Sequence, residues 1–545
     1  MRPALAALIA VAACGGPIRF ALRAPVWDEE DDRPFWPAPA YDEEMDVANT
    51  VDALLLHPIS HGLRFEPRTE ALDVNSLDEV PNSTWFTNRS PSPEEAARGP
   101  CVDEGPQLPF TIVSSKEGGT TPGLVVQDGS GQRYLLKFDD GTVPENEAGT
   151  AADAIVSRLY WAVGFHVPCN RVLYVARSDL VLTERSVERR PSGSRRPLTT
   201  ARLERMLRRA TRTESGLIRL SASRYLDGTP IGTWRGEGTR QDDPNDLVPH
   251  QDRRSLRGER FLAAWVAHWD SRGPNTFDAF VPTGPEAGHV VHHFLDFSDA
   301  LAGISRRTRW PETRVGHETV GDLGTTLADA VTFGVVRRPW DAVTRDPRYP
   351  NLAFFDVEHF SPMGFAPQTP LERWARAEWA DLAWMARRIA RLSRAHLEAI
   401  VETGRYGDPA EEARMVEVLL GRRDRILETC FEVSSPLSDV HVDGERLCAT
   451  DLARPSERGW EPALVEAWRD AAGTRTALAV THGRDSVCVA LGAHFAPRAC
   501  APGDADRYAV VEVARIRGGH RTVLRAHLYD LGPAGWFLAG LERPS

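Results

Sequence analysis

The chain has 545 residues, of which 42% are hydrophobic and 26% charged, a composition ordinary for a globular protein and long enough for roughly two to four domains. Its 65 basic and 77 acidic side chains give a formal net charge of −12, which argues against nucleic acid as a partner because phosphate binding needs a concentrated basic face. After the first residues no segment is apolar enough over a sufficient length to be a transmembrane helix.

The chain opens "MRPALAALIAVAACGG", with Arg2, an apolar run from Ala4 to Ala13 too short to span a bilayer, and a cysteine after small residues. This resembles a bacterial lipoprotein signal with Val11-Ala12-Ala13-Cys14 as its lipobox. The resemblance implies a signal peptide over 1–13, acyl chains on Cys14 and a mature protein held at the cell envelope. Gly15, in place of an aspartate, points to the outer membrane. Residues 14–60, with "WDEEDDRPFWPAPAYDEEMD", read as a poorly ordered acidic tether.

Residues 61–225 read as a strand-rich unit. "SSKEGGTTPG" is a glycine-rich turn, and "GLVVQDGSGQRYLLKFDD" is a hairpin whose second strand ends in Lys137. The next segment, "ENEAGTAADAIVSRLYWAVG", carries Ala148, Ala152, Ile155, Leu159 and Val163 at helical spacing and closes on Gly164. Glu145 or Glu147 at the start of that helix is the expected partner of Lys137. From Arg185 to Arg212 run ten arginines against two glutamates, read as an insert with Leu203, Met206, Leu207 and Ala210 on its packed side. The same basic stretch would suit anionic head groups or polysaccharide.

Residues 226–430 read as a helical unit. "WVAHWDSRGPNTFDAFV" sets Asp270 and Asn275 in the D-x-x-x-x-N spacing of a kinase catalytic loop, with Gly273-Pro274 making the turn. "GHVVHHFLDFSDALAG" follows as a strand that delivers Asp296-Phe297-Ser298 where kinases carry D-F-G. "LERWARAEWADLAWMARRIARL" is a helix with a stripe of Trp374, Leu382, Met385, Ile389 and Leu392. Residues 437–545 alternate in short strands and read as a separate β-rich unit. Six cysteines follow Cys14, and Cys488 with Cys500, flanking a turn, are the expected disulfide.

Lysine on a strand, an acid on the next helix, D-x-x-x-x-N and a strand-end aspartate follow one another in the order in which kinases carry them. Phosphoryl transfer needs a cation on the phosphates, oxygen ligands for magnesium and a carboxylate to orient the acceptor hydroxyl. Here the chain resembles atypical kinase-like proteins of the HipA and phosphoinositide-kinase type, and within them a group of uncharacterised bacterial lipoproteins carrying "EVPNSTWFTNR", "DDPNDLVPHQDRRSLRG" and "RRDRIL". The resemblance implies an α+β, bilobal kinase-like domain followed by the β-rich unit. It implies ATP and Mg as ligands, Lys137 and Glu147 on the nucleotide, Asn275 and Asp296 on the metal and Asp270 as the catalytic carboxylate. Two departures stand out: Trp269 precedes Asp270 where arginine is usual, and Ser298 replaces the glycine after Asp296-Phe297.

Three functions remain open at this point. The domain transfers phosphate to an unknown acceptor, or it is a pseudokinase-type binding module, or His268, Asp270, His292, His293 and Asp296 hold the metal of a hydrolase. The anchor has a direct test. Cys14→Ser should move the protein from the membrane to the soluble fraction of a bacterial host. Mass spectrometry showing an unmodified mature N-terminus elsewhere would contradict it.

Overall fold

The computed structural model describes residues 18–42, 69–116, 122–189, 194–301, 315–319, 331, 340, 343–453, 463–471, 474–492 and 507–544. Cys14, the glycine-rich turn after Lys116, residues 43–60 of the tether and Cys500 lie outside the described residues. The fold is mixed α+β, with twenty strands and eight α-helices among them.

Eight strands build the first sheet: β1 (Phe110–Ser115), β2 (Gly123–Gln127), β3 (Arg133–Lys137), β4 (Asn170–Val175), β5 (Leu180–Val181), β6 (Val187–Arg189), β7 (Arg195–Pro197) and β8 (Ile218–Arg224). Their order is β4-β8-β3-β2-β1-β6-β7, with β5 also paired to β1. The β2–β3 hairpin closes because Asp128 folds back on its own turn, its carboxylate accepting from Ser130 N at 2.9 Å and Gln132 N at 3.0 Å. Gly131 supplies the positive φ, 90°, that a turn of this kind demands. Along β3 the side chains alternate. Tyr134 and Leu136 join a core with Phe110, Leu124, Leu203 and Leu207, which leaves Lys137 on the other face.

Helices α1 (Pro93–Arg98) and α2 (Ala148–Val163) precede α3 (Thr200–Leu207), the helix of the arginine-rich insert. Leu203 and Leu207 pack into the sheet core while Arg196 and Arg202 pair with Glu188 at the surface. Helix α2 covers the opposite face and is buried almost all round. Its Ala151, Ile155 and Leu159 enter a second core shared with Leu262 and Trp265 of α4 (Arg254–Val266).

Helix α4 leads to β10 (Thr276–Gly284) and β11 (Ala287–Phe294), and β10 lies between β11 and β9 (Thr229–Gly232), antiparallel to both. The long helix expected from "LERWARAEWADLAWMARRIARL" is broken. Trp374 lies on a short α5 (Glu372–Ala375), and α6 (Trp379–Ala390) restarts where the Glu378 amide is held by the Asp381 carboxylate at 3.0 Å. Helices α7 (Arg394–Glu402) and α8 (Pro409–Phe431) complete this layer.

The remaining strands form two sheets. One contains β12 (Leu437–Asp443), β13 (Arg446–Asp451), β16 (Val480–His482) and β17 (Ser486–Ala490). The other contains β14 (Leu464–Ala471), β15 (Thr474–Leu478), β18 (Tyr508–Arg517), β19 (His520–Asp530) and β20 (Trp536–Glu542). Leu447 and Val489 of the first share a core with Val511 and Leu524 of the second.

Two expectations need correction. Cys488 bonds Cys448 instead of Cys500, because the antiparallel register of β13 and β17 sets those two cysteines directly opposite; Cys101 bonds Cys169. The acidic segment does not hang free over residues 18–42. Bridges join Asp28 to Asn82, Phe35 to Gly288 and Asp42 to Gly232, and the Asp31 carboxylate accepts from Thr84 N and Oγ1 at 3.0 and 2.7 Å.

The helical layer and the last strand meet at Asp78. Its carboxylate faces Arg254, Arg543 at 2.7 Å and Arg387 at 3.4 Å. Burial works to raise its pKa, yet the three guanidiniums hold it well below the usual carboxylate range. Replacing Asp78 by Ala leaves buried guanidiniums facing one another, which should cost about 3–5 kcal/mol. Chemical denaturation of Asp78→Ala checks this, and a loss under about 1 kcal/mol would show that the cluster behaves as an exposed one.

Candidate functional site

The face of the first sheet turned away from its own core carries Lys137. Its ammonium lies between two carboxylates, with Nζ 2.7 Å from Asp296 Oδ1 and 3.2 Å from Asp153 Oδ2. Burial alone would lower the lysine pKa, but Asp153 and then Asp296 outweigh it and hold the ammonium firmly protonated. Asp153 is fully buried midway along α2. It also accepts from Ser221 Oγ at 2.9 Å and from the Phe297 amide at 3.1 Å. A single helix carboxylate therefore fixes the sheet, the lysine and the segment after β11.

This arrangement corrects the expected partner. Glu147 stands at the start of α2, where its carboxylate accepts from Gly407 N at 2.7 Å and lies 3.7 Å from Arg219. Glu145 pairs with Arg345 at 2.9 Å. Neither is the partner of Lys137, because the helix N-terminus is turned toward the loop before α8. Asp139 caps that N-terminus, accepting from Gly149 N at 3.1 Å and Thr150 N at 3.1 Å, and burial raises its pKa to about 6.

The loop after α4 begins at Ala267, in the left-handed region with φ 52°. Asn275 Nδ2 donates to Asp270 O at 2.7 Å, and Asn275 O accepts from Leu295 N at 2.8 Å, so the loop is stitched to the strand end that carries Asp296. Behind it runs a buried polar chain. Trp374 Nε1 and Tyr160 OH both donate to Glu259 at 2.7 Å, while Tyr160 OH and Ser271 Oγ lie 3.1 and 3.0 Å from His268 Nδ1. Burial pushes the His268 pKa down to about 4, so its imidazole is neutral.

Asp270 and Asp296 therefore lie near enough for the charge of one to act on the other. Asp270 carries an ion pair to Arg272, and its amide donates to Asp299 Oδ2 at 2.9 Å. Burial raises the pKa of Asp270 against the pull of Arg272. Asp299 is driven higher still, by burial first and by the Asp270 charge second. Asp296 goes the other way: burial opposes, but Lys137 and Lys116 hold it far below the normal range. Trp269 is buried, and Arg272 brings a guanidinium to Asp270 from the other side of the loop.

The two strand histidines of the metal-hydrolase reading have other surroundings. His292 Nδ1 meets Asp278 at 2.7 Å and its ring stacks on Trp85 with centroids 3.6 Å apart. His293 faces the opposite side of β11, and Asp296 lies past the strand end with φ 49°. Among the described residues no three His, Cys, Asp or Glu side chains form a metal-holding group.

Three participants were missed from the sequence: Asp153, Asp299 and Lys116, whose Nζ lies 3.7 Å from Asp296 Oδ2. For Lys116 a signal existed, since only two of the 65 Lys and Arg residues are lysine, Lys116 and Lys137.

No protein-family model matches the sequence. No curated protein matches it either. Among solved structures, the chain is similar to a Golgi casein kinase at 10% identity, covering 72% of this chain and 91% of that one with a TM-score of 0.29. A structure of the Golgi casein kinase with Mn/ADP bound matches at 9% identity, covering 55% and 74% with a TM-score of 0.22. Superpositions this loose do not define a shared fold.

The paired carboxylates have a measurable consequence. A carboxyl whose folded pKa is raised stabilises the fold below its unfolded pKa and loses that contribution as pH rises through the folded value. Asp299→Asn keeps the acceptor for the Asp270 amide and removes the charge. The variant should match the parent in thermal stability at about pH 4, near the ordinary aspartate pKa, and exceed it increasingly toward neutral pH. Equal pH profiles for the two proteins would show that Asp299 does not titrate as described.

Proposed function

We propose that this protein transfers a phosphoryl group from a nucleoside triphosphate to an acceptor hydroxyl, through an atypical kinase-like site. The observation that carries the reading is the buried Lys137 ammonium shared between Asp153 and Asp296, beside a loop that presents Asp270 and Asn275. In this reading Lys137 contacts donor phosphate, and Asp270 orients the acceptor and takes its proton. The acceptor oxygen forms the new bond to the terminal phosphorus, the phosphoanhydride bond to that phosphorus breaks, and its electron pair leaves with the diphosphate.

The donor set also fits a divalent cation such as Mg. Asp296 offers a carboxylate, and Asn275, with its amide nitrogen spent on Asp270 O, has its carbonyl oxygen to give. Two hard oxygen ligands match an ion that draws its remaining ligands from substrate phosphate and water. When bound, that ion neutralises charge on the phosphates. The reading extends to the bilobal kinase-like arrangement and to a protein held at the envelope through Cys14.

A second reading is a binding module without transfer. It is favoured by the internal neutralisation of the site, with Arg272 on Asp270 and both lysines on Asp296.

A ligand that binds only the folded protein stabilises it by about 2.7 kcal/mol at a hundredfold excess over its Kd. The purified protein should therefore show a thermal shift with Mg and ATP together, abolished in Lys137→Ala and Asp296→Ala. Asp270→Asn should keep the shift while lowering transfer to any acceptor by roughly 10²–10⁴. A shift without transfer in the parent protein supports the binding module, and no shift at all contradicts the phosphoryl-transfer reading.

A further inference from the structure

The chain uses arginine for nearly every basic position. Of its 65 Lys and Arg residues two are lysine, and they lie 21 positions apart in sequence, at the end of β3 and just past β1. Both ammoniums reach the same carboxylate, Lys137 on Asp296 Oδ1 at 2.7 Å and Lys116 near Oδ2 at 3.7 Å. Neither is a solvated surface charge: the side chains are 4% and 19% exposed. A chain that otherwise places arginine keeps its two compact, point-charge cations at one spot.

We propose that Lys116 is a second phosphate-binding cation, which with Lys137 recognises adjacent phosphates of a phosphoanhydride. This deepens the reading of the site as a phosphoryl-transfer centre and rests on it. Two ammoniums and two carboxylates, Asp153 and Asp296, balance without a ligand. A cation on Asp296 would leave the lysines facing Asp153 alone, an excess positive charge that suits a polyphosphate.

The residue type follows from chemistry and space. An ammonium is a strongly hydrated point charge on a flexible stem that binds phosphate without demanding a planar fork. The Lys116 stem lies against Gly123, where an added Cβ would meet Lys116 Cβ at 3.2 Å and Leu136 O at 2.6 Å. That glycine lets the backbones of the two strands close in around the lysine. The Lys116 side chain is largely out of water, yet its ammonium stands 3.7 Å from its carboxylate and is loosely held. A new anionic partner can therefore displace the existing one.

Two sources of the phosphoanhydride are separable: a nucleotide and an inorganic polyphosphate. Affinities of the full chain for Mg with ATP, and for Mg with tripolyphosphate, should both fall about tenfold in Lys116→Gln, the loss of one charge-assisted contact, with Lys116→Arg intermediate. ATP binding with no tripolyphosphate binding in the parent protein makes the source a nucleotide, and comparable binding of both makes the phosphoanhydride itself the ligand. Either result supports the proposal if Lys116→Gln weakens it. Acetylation by an amine-reactive ester gives an independent readout, because Lys116 and Lys137 are the only side-chain amines. Mg with ATP should slow labelling of both, and adenosine should slow neither. If the parent protein binds Mg with ATP while Lys116→Gln binds it equally well and Lys116 labels at an unchanged rate, the role of Lys116 is overturned and the wider reading survives. If the parent binds neither phosphate compound, both fall together.

Discussion

The structure around the candidate site depends on one buried ammonium. Lys137 ends a strand of the first sheet, Asp153 sits inside α2, and Asp296 follows β11. Three separate parts of the chain meet on a single charge. Removing a lysine from water is costly unless opposite charge surrounds it closely, so the ion cluster specifies how the sheet, the helix and the strand end come together. Phe297 reinforces it, with its amide on Asp153 and its ring 4.9 Å from that of Tyr160.

The chain divides its cations by task. Arginine does structural work through its several fixed donors. Arg422 donates to the carbonyls of Trp265, Ala264 and Asp356 at 2.9, 2.7 and 3.1 Å while lying over Phe360. Arg219, fully buried, donates to Thr150 Oγ1 and to the carbonyls of Gly404 and Arg405, and so ties the sheet to the loop before α8. A planar fork satisfies several backbone oxygens at once, which an ammonium does less well. Lysine appears only where the neighbours are the carboxylates Asp153 and Asp296.

Much of this could be read from the sequence, and the gaps have physical causes. The hairpin ending in Lys137 was legible because alternation and an Asp-Gly-Ser-Gly turn are local signals, and the same holds for the loop carrying Asp270 and Asn275. The partner of Lys137 was not legible in that way. Acidic residues favour helix starts, which drew attention to Glu145 and Glu147, whereas the functional position of Asp153 is set by tertiary contact. Its signal was subtler: a carboxylate between Ala152 and Ala154 on a helix that buries nearly every side. The disulfide was missed for a related reason, since the β13–β17 register that sets Cys448 opposite Cys488 is a long-range pairing. The chain over 18–42 reads as disordered by composition, yet Asp31 finds two donors on Thr84 that no local pattern announces.

The central claim is that both lysines face one metal-phosphate site. Two lysines mean two side-chain resonances in protein carrying isotope-labelled lysine, so the claim can be read without an acceptor or a turnover assay. Adding Mn with a non-hydrolysable ATP analogue should broaden both resonances strongly, because a paramagnetic ion on Asp296 would lie next to each ammonium. Diamagnetic Mg with the same analogue should shift both without broadening. Two resonances left sharp and unshifted, or broadening that persists in Asp296→Ala, would contradict the account.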